Sequence, residues 1–134
     1  MHFKTLAAAL LVFTAGCGDD PGDTDGEAPT FTEIRDDILL PSCGFSTCHG
    51  GGTGGLTISE DDPGAVYSAL VDAASFDAAG ETLVIPGDAD NSYLVKKVEA
   101  AADIVGDPMP APFGVEDAQA ADIRAWINAG AADD

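Results

Sequence analysis

How little this chain has to bury sets the limits on how it can fold. Of its 134 residues 46% are apolar, but many of these are Ala, and six Phe, two Tyr and one Trp supply all the aromatic area. A chain of this length makes one small domain. Small domains hide a smaller share of their surface, so a thin core leans on a disulfide, a metal or a bound group. Sixteen Gly and eight Pro add irregular backbone to that thin core, which favours a bound cofactor.

The N-terminus reads as an export signal. Lys4 precedes an apolar stretch, Leu6 to Phe13, that is far shorter than the roughly 20 residues of a membrane span. Its length is that of a signal-peptide hydrophobic region. The segment closes on Thr14-Ala15-Gly16-Cys17, small residues directly before a cysteine. This resembles the bacterial lipobox, in which the cysteine is acylated and becomes the first mature residue; Thr14 stands where a Leu is usual. An ordinary cleaved signal beside an unrelated Cys17 is the competing reading. The chain has three cysteines, and an odd thiol in an exported protein calls for an explanation. Acylation of Cys17 supplies one and leaves Cys43 and Cys48 as a pair. Residues 1–16 are thus expected to be a lipoprotein signal peptide. Residues 17–29, Asp- and Gly-rich with no large apolar side chain, are expected to be a disordered acidic tether. One domain follows, 30–134, with no internal repeat.

Within that domain the pattern is one of short helices and long loops. Thr30 and Glu33 form a capping box, and Phe31, Ile34, Ile38 and Leu39 share a face, predicting a helix to about Leu40 that Pro41 stops. Asp62-Pro63 is a second start signal, followed by the stripe Val66, Tyr67, Leu70 and Val71. Leu83-Val84-Ile85 reads as a short buried extended piece ended by Pro86-Gly87. Asp88 is the candidate cap of a third helix carrying Tyr93, Leu94, Val95 and Val98. A last helix is predicted from Glu116 to Asn128, with Ala120, Ile123 and Ile127 on one face, Trp126 in the core and Gly130 as the stop. Residues 50–57 and 101–114 are Gly- and Pro-rich loops.

The chemistry sits in Cys43-Gly-Phe-Ser-Thr-Cys48-His49-Gly50. A cysteine pair ending in Cys-His is the haem-attachment signature, usually with two residues between the cysteines. Two thiols add across the two vinyl groups on one porphyrin edge as thioethers, and the following His reaches iron through its imidazole. Four residues separate the cysteines here, so two must bulge from the attachment turn, with Gly44 expected to permit it. A disulfide between Cys43 and Cys48 is an alternative for an exported domain. Zinc is a poorer one, because adjacent Cys48 and His49 ill suit one tetrahedral ion and no second Cys or His group exists. Cleavage before Cys17 removes His2 and Met1, leaving His49 and Met109 as the mature chain's single His and single Met. A lone Met is more often core filler than ligand, but Met109, between Pro108 and Pro110 in a polar loop, belongs to no helix stripe and is the candidate distal iron ligand.

These pieces together resemble the small c-type cytochrome domains of the planctomycete-type family. The resemblance runs from Ile34 to Ala131 through Cys48-His49-Gly50, Gly55-Leu56-Thr57-Ile58, Val84-Ile85-Pro86-Gly87-Asp88, Ser92-Tyr93-Leu94, Met109-Pro110 and Ile123-Arg124-Ala125-Trp126-Ile127 with Gly130-Ala131. It implies an all-α, cytochrome c-like domain around one covalent haem c, with His49 proximal and Met109 distal. The two extra residues between the cysteines depart from the family pattern and bear on the covalent attachment more than on the fold.

An iron ligated on both faces moves electrons and activates no substrate. The mature chain has no second His from which to build a Ser-His-Asp set, so an electron carrier is expected rather than an enzyme. The other function class left open is a haem-free, disulfide-closed surface domain that binds protein or carbohydrate. Five Lys and Arg against 24 Asp and Glu, a formal charge of −19, argue against a nucleic-acid partner; such an excess usually marks a well-solvated face, and the alternative is a redox partner with a basic docking surface. The expected location is the cell envelope, periplasmic or outer-surface, with the membrane reached through the lipid anchor.

Overall fold

The computed structural model describes residues 26–134. The expected signal peptide, the lipidation site Cys17 and most of the tether lie outside the described residues.

The first helical run, α1, begins where the capping box places it. The Thr30 hydroxyl accepts from the Glu33 N–H at 3.2 Å, and the Glu33 carboxylate accepts from the Thr30 N–H at 2.8 Å. The run is α-helical over Phe31–Glu33, π-helical over Ile34–Leu39 and α-helical again over Leu40–Cys43. It therefore passes through Pro41, which was expected to end it. The physical reason is the winding. The Leu40 N–H already reaches back five residues to the Arg35 carbonyl. The wider turn relieves the clash that a Pro ring makes inside a regular α-helix, and Pro41 sits where the register returns to α. The same widening keeps Leu39 and Cys43 on the buried face of Phe31, Ile34 and Ile38.

The second helix, α2, spans Pro63–Leu70, and the Asp62 carboxylate accepts from the Ala65 N–H at 2.9 Å, as its start signal predicts. Val66 and Leu70 are buried, with Tyr67 and Val71 packed against the core. The chain then doubles back. Val84 pairs with Val71 in a parallel bridge and Thr82 with Ala74 in an antiparallel one, and of Leu83, Val84 and Ile85 only Val84 is fully buried.

Helix α3 spans Tyr93–Val98 and starts later than an Asp88 cap would put it. Its first N–H groups, Tyr93 and Leu94, donate to the Thr82 and Leu83 carbonyls, each at 2.9 Å. The extended piece thus caps the helix with backbone. Asp88 instead closes a turn by accepting from the Asn91 backbone and side-chain amides. Ser92 is buried with both hydroxyl roles filled, donating to the Asp88 carbonyl and accepting from the Ile85 N–H. The last helix, α4, spans Asp117–Asn128 behind a Glu116–Gln119 capping box, and the chain turns at Gly130.

The core forms where these helices meet. α4 packs on α3 and on the π-helical part of α1. Phe31 lies 5.5 Å from Trp126 and 5.2 Å edge-on from Tyr67. The C-terminal residues close the layer: the Tyr67 hydroxyl donates to the Ala131 carbonyl, and the Trp126 indole to that of Ala132. Among the described residues the protein is mostly helical, with bridges but no strand, as the sequence predicts for an all-α class.

Candidate functional site

Cys43, Cys48 and His49 come together because α1 ends at Gly44 and the chain immediately folds back. The N–H groups of Cys48 and Gly50 both donate to the Phe45 carbonyl, at 2.8 and 3.0 Å. A side chain on Gly50 would collide with the Gly44 carbonyl and the Phe45 backbone. A side chain on Gly51 would likewise collide with the Ser46 carbonyl, so the bulge between the cysteines is closed by a backbone-on-backbone approach that glycine at 50 and 51 permits. Gly44, expected to free the bulge, has an ordinary φ of −78°, and a side chain there would press on the Leu40 carbonyl of α1. Its role is that of the helix C-cap.

The two cysteines differ. Cys43 is 7% exposed within the core, whereas Cys48 is exposed, and both are free thiols. Burial, then the neighbouring Cys48 charge, pushes the Cys43 thiol up to about 11. His49 is half-buried, and its Nδ1 lies 3.2 Å from the Leu56 carbonyl oxygen. A carbonyl only accepts, so Nδ1 carries the proton and a neutral ring keeps its lone pair on Nε2. The His49 carbonyl accepts from Gly52 and Ile58, so the residues after the histidine wrap round it. Among the described residues no three His, Cys, Asp or Glu side chains gather as a metal site.

Met109 is held elsewhere. Its N–H donates to the Lys97 carbonyl of α3 at 2.9 Å, and its side chain is half-buried. No hydrogen bond among the described residues joins its loop to that of His49. A groove of about 770 Å³ beside α1 is lined by Arg35, Pro41, Gly50, Ile58 and Asp61 among others, and one of about 380 Å³ by Val98, Phe113, Val115 and Ala120 among others. Neither is lined by Cys43, Cys48, His49 or Met109. The structure therefore gathers three of the four expected haem residues and places the fourth on a separate loop.

Sequence reasoning missed the apolar surface that accompanies both loops. Phe45, Phe76, Val105 and Phe113 are 60%, 78%, 50% and 85% exposed. Phe45 lies between the cysteines, and the Phe76 ring covers Gly55 in the turn after His49. Val105 and Phe113 stand four residues to either side of Met109. Their signal was readable: each is a large apolar residue among Gly, Pro, Ser or Asp, outside any helical stripe. In chemistry the residues fit haem c. Two thiols precede a histidine with Nε2 free, a thioether stands in a stiff loop, and exposed apolar side chains flank both.

Lys96 and Lys97, the other side chains able to ligate iron from this part of the chain, are both engaged. Lys96 pairs with Glu81 at 3.3 Å and Asp103 at 3.1 Å, and Lys97 donates to the Val105 and Asp107 carbonyls. No protein-family model, curated protein or solved structure matches this chain.

Proposed function

We propose that this chain is an exported, lipid-anchored c-type cytochrome that carries electrons through a single covalent haem in the cell envelope. Cys43 and Cys48 would hold the porphyrin, and His49 and Met109 would ligate its iron. The observation that carries the reading is the His49 hydrogen bond to the Leu56 carbonyl. Metal-bound imidazoles characteristically donate their second ring N–H in this way, which fixes the tautomer and aims the other nitrogen at the metal. When bound, haem c supplies a one-electron couple. The chain's own residues set its environment. A Met109 thioether together with the His49 imidazole would raise the potential relative to two histidines.

The acid-rich surface supports a basic redox partner. All four described cations, Arg35, Lys96, Lys97 and Arg124, are engaged by partners within the chain. The formal charge of −19 leaves a net acidic field for such a partner to meet.

The test is the visible spectrum of the protein made in a host with haem-attachment machinery. The reading predicts a coloured protein whose oxidised form shows Met-to-iron charge transfer. Met109→Ala should abolish that absorption, lower the potential and leave the haem attached. A colourless, well-folded product would favour the disulfide-closed binding domain instead.

A further inference from the structure

The loop bearing Met109 contains three prolines between residues 108 and 112 and leaves Val105 and Phe113 exposed, so it buries little of its own apolar area. What holds it is the last turn of α3. The Lys97 ammonium donates to the carbonyls of Val105 and Asp107, each at 2.7 Å, and lies 6.0 Å from the Tyr93 ring centroid. The Tyr93 hydroxyl accepts from the Val105 N–H at 2.8 Å. The Lys97 carbonyl takes the Met109 N–H, and the Val98 carbonyl takes that of Val115. Gly114 presses so closely on the Val98 carbonyl that no side chain would fit there.

The choice of partners makes Lys97 informative. In a chain with 24 acidic residues a surface lysine has carboxylates at hand, and its neighbour Lys96 takes two. Lys97 spends its charge on two main-chain carbonyls of one loop. A charged donor to a carbonyl is stronger than a neutral one, and here two such bonds converge on one ammonium at the surface. The two carbonyls precede Met109 by four and two residues, so the staple fixes the approach to the methionine.

We propose that Lys97 and Tyr93 are positioning residues that fasten the Met109 loop to α3 and so present the thioether as a soft ligand. The clamp itself is independent of the haem reading; the ligand-presenting role rests on it. The test compares Lys97→Met, Lys97→Arg and, as a control that loses ion pairs to Glu81 and Asp103 but no bond to residues 105–109, Lys96→Met, in the full-length chain with and without haem.

Lys97→Met should speed amide exchange at Val105 and Met109 by about tenfold or more while leaving Ile123 and Ile127 unchanged. In haem-loaded protein it should weaken Met-to-iron charge transfer and lower the potential. Lys97→Arg, which also offers several donors, should restore both, and Lys96→Met should match the parent. Unchanged exchange in the loop overturns the clamp. Faster exchange with unaltered absorption and potential overturns the positioning role. Faster exchange in a chain that never takes up haem upholds the clamp and removes the cytochrome reading.

Discussion

The two loops expected to ligate iron are held by opposite means. His49 lies in a segment that fixes itself: Phe45, Cys48, His49, Gly50, Leu56 and Ile58 bond to one another within fourteen residues. Met109 lies in a segment fixed from outside, by side chains and carbonyls of α3. A self-closed turn keeps its geometry as long as its own glycines are intact. A stapled loop keeps its geometry only while the helix under it is folded. The comparison predicts that the His49 loop is rigid and the Met109 loop yielding.

Gly50→Ala should have the largest effect. The new methyl meets fixed main chain and would cost about 3 kcal/mol, because the displaced turn pulls on Cys43 in the core. Gly114→Ala makes a similar collision with the Val98 carbonyl, at a residue whose φ is +84°, yet the loop can lift away. Thermal melting should separate them: a large drop for Gly50→Ala, and for Gly114→Ala a small drop with fast exchange confined to residues 105–115. Equal drops would erase the distinction between the two loops.

The cysteines sharpen the same contrast within one segment. In protein without haem, Cys48 should react with a thiol reagent at neutral pH about a hundredfold faster than Cys43, whose raised pKa leaves little thiolate and whose burial blocks approach. Peptide mapping of the labelled sites reads this directly. Comparable rates would mean that the end of α1 is open, and the rigidity of the His49 loop would be lost.

The smallest effect concerns the base of the yielding loop. Arg124 of α4 pairs with Glu99 at the end of α3 and with Asp90. Its hydrogen bond holds the Glu99 carboxyl below the usual range. A carboxylate with a lowered folded pKa adds stability above its unfolded pKa and loses it as pH falls through the folded value. Arg124→Met should therefore melt lower at neutral pH and converge with the parent on acidification below about pH 4. At this partly exposed site the gap should be under about 1 kcal/mol. A gap that widens on acidification would contradict the sign.

The contrast also explains what was legible in the sequence. Thr30 with Glu33, Asp62 with Pro63 and the Ile123, Trp126, Ile127 face are local signals, and each stands where its spacing predicts. The Cys48-His49 segment is likewise closed by partners within a few residues, yet at Gly50 and not at Gly44, where the sequence reading put the freedom. Pro41 misled because π winding, which no local rule announces, relieves its clash. Asp88 misled because carbonyls of residues 82 and 83 cap α3 in its place. The Lys97 staple was invisible because its hydrogen bonds reach a loop whose path only packing determines. Met109 could be picked out by composition, but not what holds it.

The most direct measurement is the intact mass of mature protein from a haem-competent host, taken under denaturing conditions. The account predicts a chain beginning at acylated Cys17 and carrying the mass of one haem, with Cys43→Ser and Cys48→Ser each impairing its retention. A mass equal to the bare polypeptide, or to the polypeptide less two hydrogens, would contradict it.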